Sequence, residues 1–313
     1  MGEHSAATWL GFTGLVAALL VLDLGVLNRR SHVLSLKEAM SWSLGVIALA
    51  HLFGGFLYWH EGPQRALEYY AGYLIELSLS ADNLFVFILI FSYFGVPAEA
   101  QPKVLKWGIF GAIVMRFIMI AMGAVLLARF EWIIYVFGGI LILTGIRMLL
   151  VKEHRIEPEK NPVVWLARKV LPFSNSYDGA NFFSRTSERR LLATPLLLVL
   201  LVVEWSDLVF AIDSIPAIYS VTRDPFLVYS SNIFAILGLR AMFFVLAGTM
   251  DRFVYLKHGV ALILVFVGGK MALAAWVHPS ISVSLGVIVL ILTGSVVLSL
   301  RRSAREARAA ARG

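Results

Sequence analysis

A chain of 313 residues with 59% hydrophobic residues, 15% charged ones and a net charge of +7 is far less charged than a soluble domain, which runs near 25%. With a mean hydropathy of +0.81 this is the composition of a polytopic membrane protein, in which long apolar runs between short polar joints read as helices and not as barrel strands of about ten residues. The chain has no cysteine, which excludes disulfides, thiolate metal sites and dithiol redox chemistry. Its excess of basic residues fits loop charges of a membrane protein, and no basic run interleaved with aromatics points to nucleic acid.

Nine apolar spans are expected, near 8–27, 40–59, 70–94, 104–127, 131–150, 194–220, 228–250, 255–277 and 281–300, most of them close to the ~20 residues a crossing helix needs. The first span has no basic region before it and Arg29-Arg30 after it, so it reads as a retained helix and not as a cleaved signal. The third and sixth spans are long enough to tilt or to break partway. The segment 151–193 is the one long polar joint; Val163 to Val170 could form a short amphipathic surface helix, but the preferred reading of the joint is a solvated linker between two halves. After Arg301 a basic tail, 301–313, continues from the last span.

Orientation follows from Lys and Arg. Assigning the joints alternately gives 20 basic residues on one side and three, Arg65, Arg129 and Arg223, on the other. The rich side is cytoplasmic by the positive-inside rule, which places the N-terminus outside, the C-terminus inside and 151–193 in the cytoplasm.

The chemistry lies in two acidic patches within apolar spans. One is Glu76-Leu-Ser-Leu-Ser-Ala-Asp82-Asn83, the other Glu204-Trp-Ser-Asp207-Leu-Val-Phe-Ala-Ile-Asp213-Ser214. Carboxylates in hydrocarbon are costly and mark a site or an ion path by default. Aligning Asp82-Asn83 with Asp213-Ser214 brings Glu76 onto Asp207. The following spans then each carry an intramembrane arginine, Arg116 and Arg240, and the next ones end on Gly145-Ile-Arg147-Met148 and Gly268-Gly-Lys270-Met271. Spans three to five (70–150) therefore read as a repeat of spans six to eight (194–277). A repeat of three spans inverts its second copy, as in many secondary transporters with a site at the repeat interface. The whole chain, 1–313, is read as one all-α transmembrane domain.

The donors offered are carboxylate, amide, hydroxyl and main-chain carbonyl, which suit Mg²⁺, Ca²⁺ or Mn²⁺. On a straight helix Glu76 and Asp82 lie ~120° apart, so a shared ion needs an opened helix or a site between helices. Pro216 removes one helical hydrogen bond three residues after Asp213, and Ser78 and Ser80 can bond back to the backbone. The candidate metal set is Glu76, Asp82, Asn83, Glu204, Asp207, Asp213 and Ser214. Arg116, Arg240, Lys270 and Asp23 are candidate gating or charge partners, and purely architectural ion pairing is the competing reading. Asp23 could instead pair with Arg29 at the span end. Asn232 could join the site or cap its helix, and His51 reads as a packed or interhelical donor in preference to a ligand. No nucleophile or HExxH accompanies the acids, so no enzyme and no organic cofactor are expected.

These two patches, with Asp23-Leu-Gly-Val-Leu-Asn-Arg29 and Ser35-Leu-Lys-Glu-Ala39, resemble the TerC family, in particular its Alx-type members, over roughly residues 10 to 300. The resemblance implies a multi-pass protein of the bacterial inner membrane tied to Mn²⁺ export, alkaline-pH response and tellurite resistance, with the family's acidic residues falling on Glu76, Asp82, Glu204, Asp207 and Asp213. The expectation is export of a divalent cation, Mn²⁺ first, from the cytoplasm. The alternative is a non-transporting membrane component of a tellurite or alkaline-stress resistance complex. Beyond the metal ion and the lipid bilayer, no partner is readable.

Overall fold

The computed structural model describes residues 4–22, 35–130, 132–150, 161–185, 191–247, 255–276 and 279–310. They form ten helices and one small hairpin: α1 Ala6–Val21, α2 Leu36–Glu61, α3 Pro63–Tyr93, α4 Gln101–Arg129, α5 Ile133–Leu150, α6 Pro162–Val170, β1 Phe183–Arg185, β2 Leu191–Ala193, α7 Pro195–Tyr219, α8 Pro225–Ala247, α9 Leu256–Ala272 and α10 Ile281–Ala310. Six helices (α2, α3, α4, α5, α7 and the 281–305 part of α10) are long and apolar enough to cross a bilayer, and α8 makes seven if its two bent parts count as one span. The other two expected spans coincide with shorter helices, α1 and α9.

Local signals set the helix starts. Ser35 and Glu38 form a reciprocal capping box on α2, which satisfies two orphan donors at once. Gly62, at φ +94°, turns the chain directly from α2 into α3, a conformation only glycine adopts cheaply. Proline occupies the first turn of α3, α4, α6 and α7, where its missing N–H costs nothing.

Two expectations are corrected. The long third and sixth spans do not break: α3 is continuous over 31 residues and α7 over 25. Pro216 falls in the last turn of α7, where little helix remains to be disrupted. The bend is in α8 instead, 50° between its Leu239 and Ala241 parts, next to Gly238, which weakens a helix interior. The 151–193 joint is also more than a linker. Asn161 caps α6 through Val163 N–H, α6 buries Val164 and Ala167 and packs on α7, and β1 and β2 pair antiparallel with Phe183 opposite Ala193. Tyr177 Oη donates to the Phe94 carbonyl at 2.8 Å, tying this segment to the end of α3.

The core is built around α3, α7 and α8. Helix α3 packs on α8, α7, α2 and α10; α4 packs on α7 and α8; α5 packs on α9. Leu52, Phe56, Trp59, Leu143 and Leu290 are exposed, as expected of surfaces that face lipid. At the 61–68 and 222–224 end, His4 Nε2 lies 2.9 Å and Arg65 Nη1 3.3 Å from Asp224 Oδ2, and Glu68 Oε2 accepts from Thr222 Oγ1 at 2.7 Å.

Candidate functional site

Four helices meet at Arg116. The residue is fully buried on α4, and its guanidinium reaches both acidic patches. Nη1 donates to Glu76 Oε1 of α3 at 2.7 Å and to Ser214 Oγ of α7 at 2.8 Å. Nη2 donates to Asp207 Oδ1 at 3.3 Å, with Nε at 3.5 Å from Oδ2. The geometry is that of a planar fork between carboxylates, a role lysine cannot fill. Glu76 is equally well held: Ser80 Oγ donates to Oε1 at 3.0 Å, and Asn232 Nδ2 of α8 donates to Oε2 at 3.0 Å.

Glu76, Asp207, Ser214 and Asn232 are all buried. Two carboxylates share one guanidinium, so the cluster carries one formal negative charge in excess. Such a group is stable only while its lone pairs and protons stay matched. Two buried amide atoms on these helices, Asn232 Oδ1 in the cluster and Asn83 Nδ2 further along α3, have no hydrogen-bond partner among the described residues. With its Nδ2 given to the Glu76 carboxylate, Asn232 turns an oxygen donor away from that acid.

The remaining acids of α7 point to other helices. Asp213 Oδ1 accepts from Thr144 Oγ1 of α5 at 3.0 Å. The Glu204 carboxylate lies over Gly111 of α4, where the missing Cβ leaves it room. Glu204 and Asp207 together line a cavity of about 20 Å³ with Gly108, Ala112, Phe87 and Leu239, space for about one water. Among the described residues, no three of His, Asp and Glu are arranged to hold a metal ion.

Of the sequence candidates, then, Glu76, Asp207 and Ser214 converge with Arg116, while Asp213 and Glu204 flank them on separate helix contacts. Asn83 is buried on α3. The side chains of Asp82 and Arg240, and the whole of Asp23, lie outside the described residues. Lys270 is not with the acids: its Nζ donates to Ser284 Oγ of α10 at 3.2 Å. Asn232 joins the site and does not cap α8, and Ser80 bonds to Glu76 in place of the backbone. Thr144 is a contact that residue types do not announce, since a lone threonine in an apolar span gives no signal. His51 is not the packed or interhelical donor expected of it: it is exposed on α2, and its Nδ1 lies 2.8 Å from the Ile47 carbonyl of the same helix.

The fold and this buried charge cluster define the class: a polytopic α-helical membrane protein with a carboxylate–arginine site inside its bundle. The chain belongs to the integral membrane protein TerC family, whose model matches residues 61–307. It is 51% identical over 299 residues to the uncharacterized membrane protein STKORF319 of Myxococcus xanthus, covering 96% of this chain and 93% of that one. It is 47% identical over 300 residues to Alx of Escherichia coli strain K12, described as a proposed membrane-bound redox modulator, with 93% of each chain covered. An uncharacterized membrane protein of Rickettsia felis is 41% identical over 295 residues, 94% of this chain and 98% of the relative. No solved structure matches the chain.

Proposed function

We propose that this protein exports a hard divalent cation, Mn²⁺ first among the candidates, from the cytoplasm across the bacterial inner membrane. The observation that carries this reading is the shared grip of Glu76 and Asp207 on Arg116. These acids occupy matching places in the two repeats and meet at one buried point with negative charge in excess. In the proposal, a cation and the Arg116 guanidinium compete for the same carboxylates, so that arrival of the ion releases Arg116 and its departure draws the guanidinium back. Asp213, bonded to Thr144, Glu204, on the wall of the small cavity, and the oxygen of Asn232 supply further hard donors along the path. Mn²⁺, Ca²⁺ and Mg²⁺ all accept this donor set, and the family resemblance puts Mn²⁺ first.

The helix contacts support the inverted repeat this mechanism needs. Exchanging the two halves converts the α3–α8 contact into α7–α4 and maps α3–α7, α4–α8 and α5–α9 onto themselves, and all five contacts are made. The redox role in the description of Alx has no thiol to work through in a chain without cysteine.

The test is flux into proteoliposomes containing a divalent-sensing dye, with Mn²⁺, Mg²⁺ and Ca²⁺ in turn. Wild-type protein is expected to move Mn²⁺, and Asp82→Asn and Asp213→Asn to stop it. Folded wild-type protein that moves none of the three ions, or normal flux through both variants, would overturn the proposal.

A further inference from the structure

Lys270 lies half-buried in α9, and among the described residues the Ser284 hydroxyl is the one hydrogen-bond partner of its Nζ. It faces a cavity of about 320 Å³ that is also lined by Arg223 and Glu68. This space adjoins a second cavity of about 690 Å³, the two sharing Ile134, Arg223 and Ala274, and the second is lined by Arg129, Trp132 and Tyr135. Arg129 ends α4, and Arg223 lies in the joint between α7 and α8. Both arginines are exposed, and among the described residues neither makes a hydrogen bond or ion pair. Among the described residues the one carboxylate lining the cleft, Glu68, is engaged by Arg65 and Thr222. Asp224, beside Arg223 in sequence, is engaged by His4 and Arg65. Glu131 lies outside the described residues.

Three cations around one cleft, with the described acids committed elsewhere, call for an anion. A cation at membrane depth is costly unless something negative meets it. The side is informative too: the joints at this end carry only three basic residues, which the positive-inside rule expects to face outward, and two of them converge here. Trp132 and Tyr135 are 58% and 44% exposed, the placement of rings that sit at headgroup level. Basic pockets between transmembrane helices are known to hold anionic lipid head groups on the cytoplasmic side, and the same charge chemistry applies to a phosphate at the opposite headgroup level.

We propose that Arg129, Arg223 and Lys270 form a binding site for the phosphate of an anionic phospholipid in the outer leaflet. The arginines take the phosphate oxygens, for which the guanidinium fork is suited. Trp132 and Tyr135 flank the glycerol region, and Lys270 with Ser284 closes the inner lobe. The cleft is bounded by α4 and α5 on one side and by α7 and α9 on the other, so a bound headgroup links the two repeats.

The experiment is native mass spectrometry of the full chain in detergent, titrated separately with phosphatidylglycerol, phosphatidylcholine and orthophosphate. Wild-type protein is expected to retain phosphatidylglycerol well below the concentration needed for phosphatidylcholine. Arg129→Gln or Arg223→Gln should raise the required concentration about fivefold and the double variant about thirtyfold, from the usual contribution of one basic residue near a lipid surface. Arg129→Lys with Arg223→Lys should keep most of the preference, and Arg301→Gln at the other end of the bundle should keep all of it. Thermal unfolding checks that each variant is folded. The site is overturned if the folded double glutamine variant retains phosphatidylglycerol like wild type, if Arg301→Gln weakens it equally, or if the two lipids bind alike. Binding of orthophosphate without a preference for phosphatidylglycerol would overturn the lipid as its source.

Discussion

Gly138 of α5 and Gly268 of α9 face each other with no room for a side chain on either. A Cβ on Gly138 would lie 2.8 Å from the Gly268 carbonyl oxygen, and one on Gly268 would lie 2.7 Å from that of Gly138. One Cβ further along, on Gly145, would lie 2.7 Å from the Ala261 carbonyl oxygen. Superposing Gly145 on Gly268 places Gly138 on Ala261, so the antiparallel crossing repeats itself under exchange of the halves. The obstructing atoms are backbone and cannot step aside. Gly138→Ala and Gly268→Ala are therefore expected to destabilise by about 1–3 kcal/mol each, the usual cost of overpacking. Gly139 and Gly269 have open space, and alanine there should change stability by no more than about 1 kcal/mol, in the favourable direction. Thermal unfolding in detergent of the four variants decides it; equal effects at neighbouring glycines would contradict the close crossing.

Arg116 is the one cation that Glu76 and Asp207 have among the described residues. Arg116→Leu leaves two buried carboxylates facing each other, and removal of one partner from a buried ion pair costs about 3–5 kcal/mol. Arg116→Lys keeps a charge but offers no fork, and should fall between that variant and wild type. Pairing Arg116→Leu with Glu76→Gln and Asp207→Asn removes the charges together and should recover much of the loss. A double-mutant cycle on unfolding in detergent measures the coupling; additive effects would show that the three side chains act separately.

Much of this arrangement is readable from residue types, and the unreadable part has physical reasons. Apolar runs place the helices because the bilayer thickness sets their length, and Ser35 with Glu38 marks the start of α2. The matching acid spacing brings Glu76 and Asp207 into register on residue types alone. What spacing cannot supply is the rotation of each helix about its axis. That rotation sends Arg116 to acids of both halves and turns Lys270 away from them toward Ser284. Proline misleads for a related reason: its effect depends on how much helix follows it, and Pro216 has almost none. Asn232 is ambiguous in sequence because the same amide can cap a helix or orient a buried carboxylate.

Tyr177 holds the segment after α6 against the end of α3 through its hydroxyl bond to Phe94. Burial pushes its phenol above the usual value near 10. The neutral phenol is the donor, so its contribution is fully present below pH 10 and is lost as pH rises through the raised folded value. Protease cleavage between residues 171 and 185 should therefore stay slow up to about pH 10 and accelerate above it. Tyr177→Phe should be cut faster at neutral pH, and its cutting should lack that alkaline rise. The same alkaline rise in both proteins would assign it to another group.

Gly111 offers the sharpest separation of stability from transport. A Cβ there would collide with the Glu204 carboxylate, to which its three nearest atoms all belong. That carboxylate is the far end of a flexible side chain, so Gly111→Ala should displace it at little cost. The gain in helix propensity at an α4 interior position, about 0.5–1 kcal/mol, offsets part of that cost. Thermal unfolding should therefore stay near wild type. If Glu204 supplies a donor on the proposed cation path, moving it must lower Mn²⁺ flux, and Glu204→Gln should lower it similarly, since the amide keeps the shape and loses the charge. Gly111→Ala in a Glu204→Gln background should then add little, because the group it displaces no longer carries charge. Proteoliposome flux from the three variants tests this. Wild-type flux from a folded Gly111→Ala protein would remove Glu204 from the path and leave the Glu76–Arg116–Asp207 cluster and Asp213 to carry it.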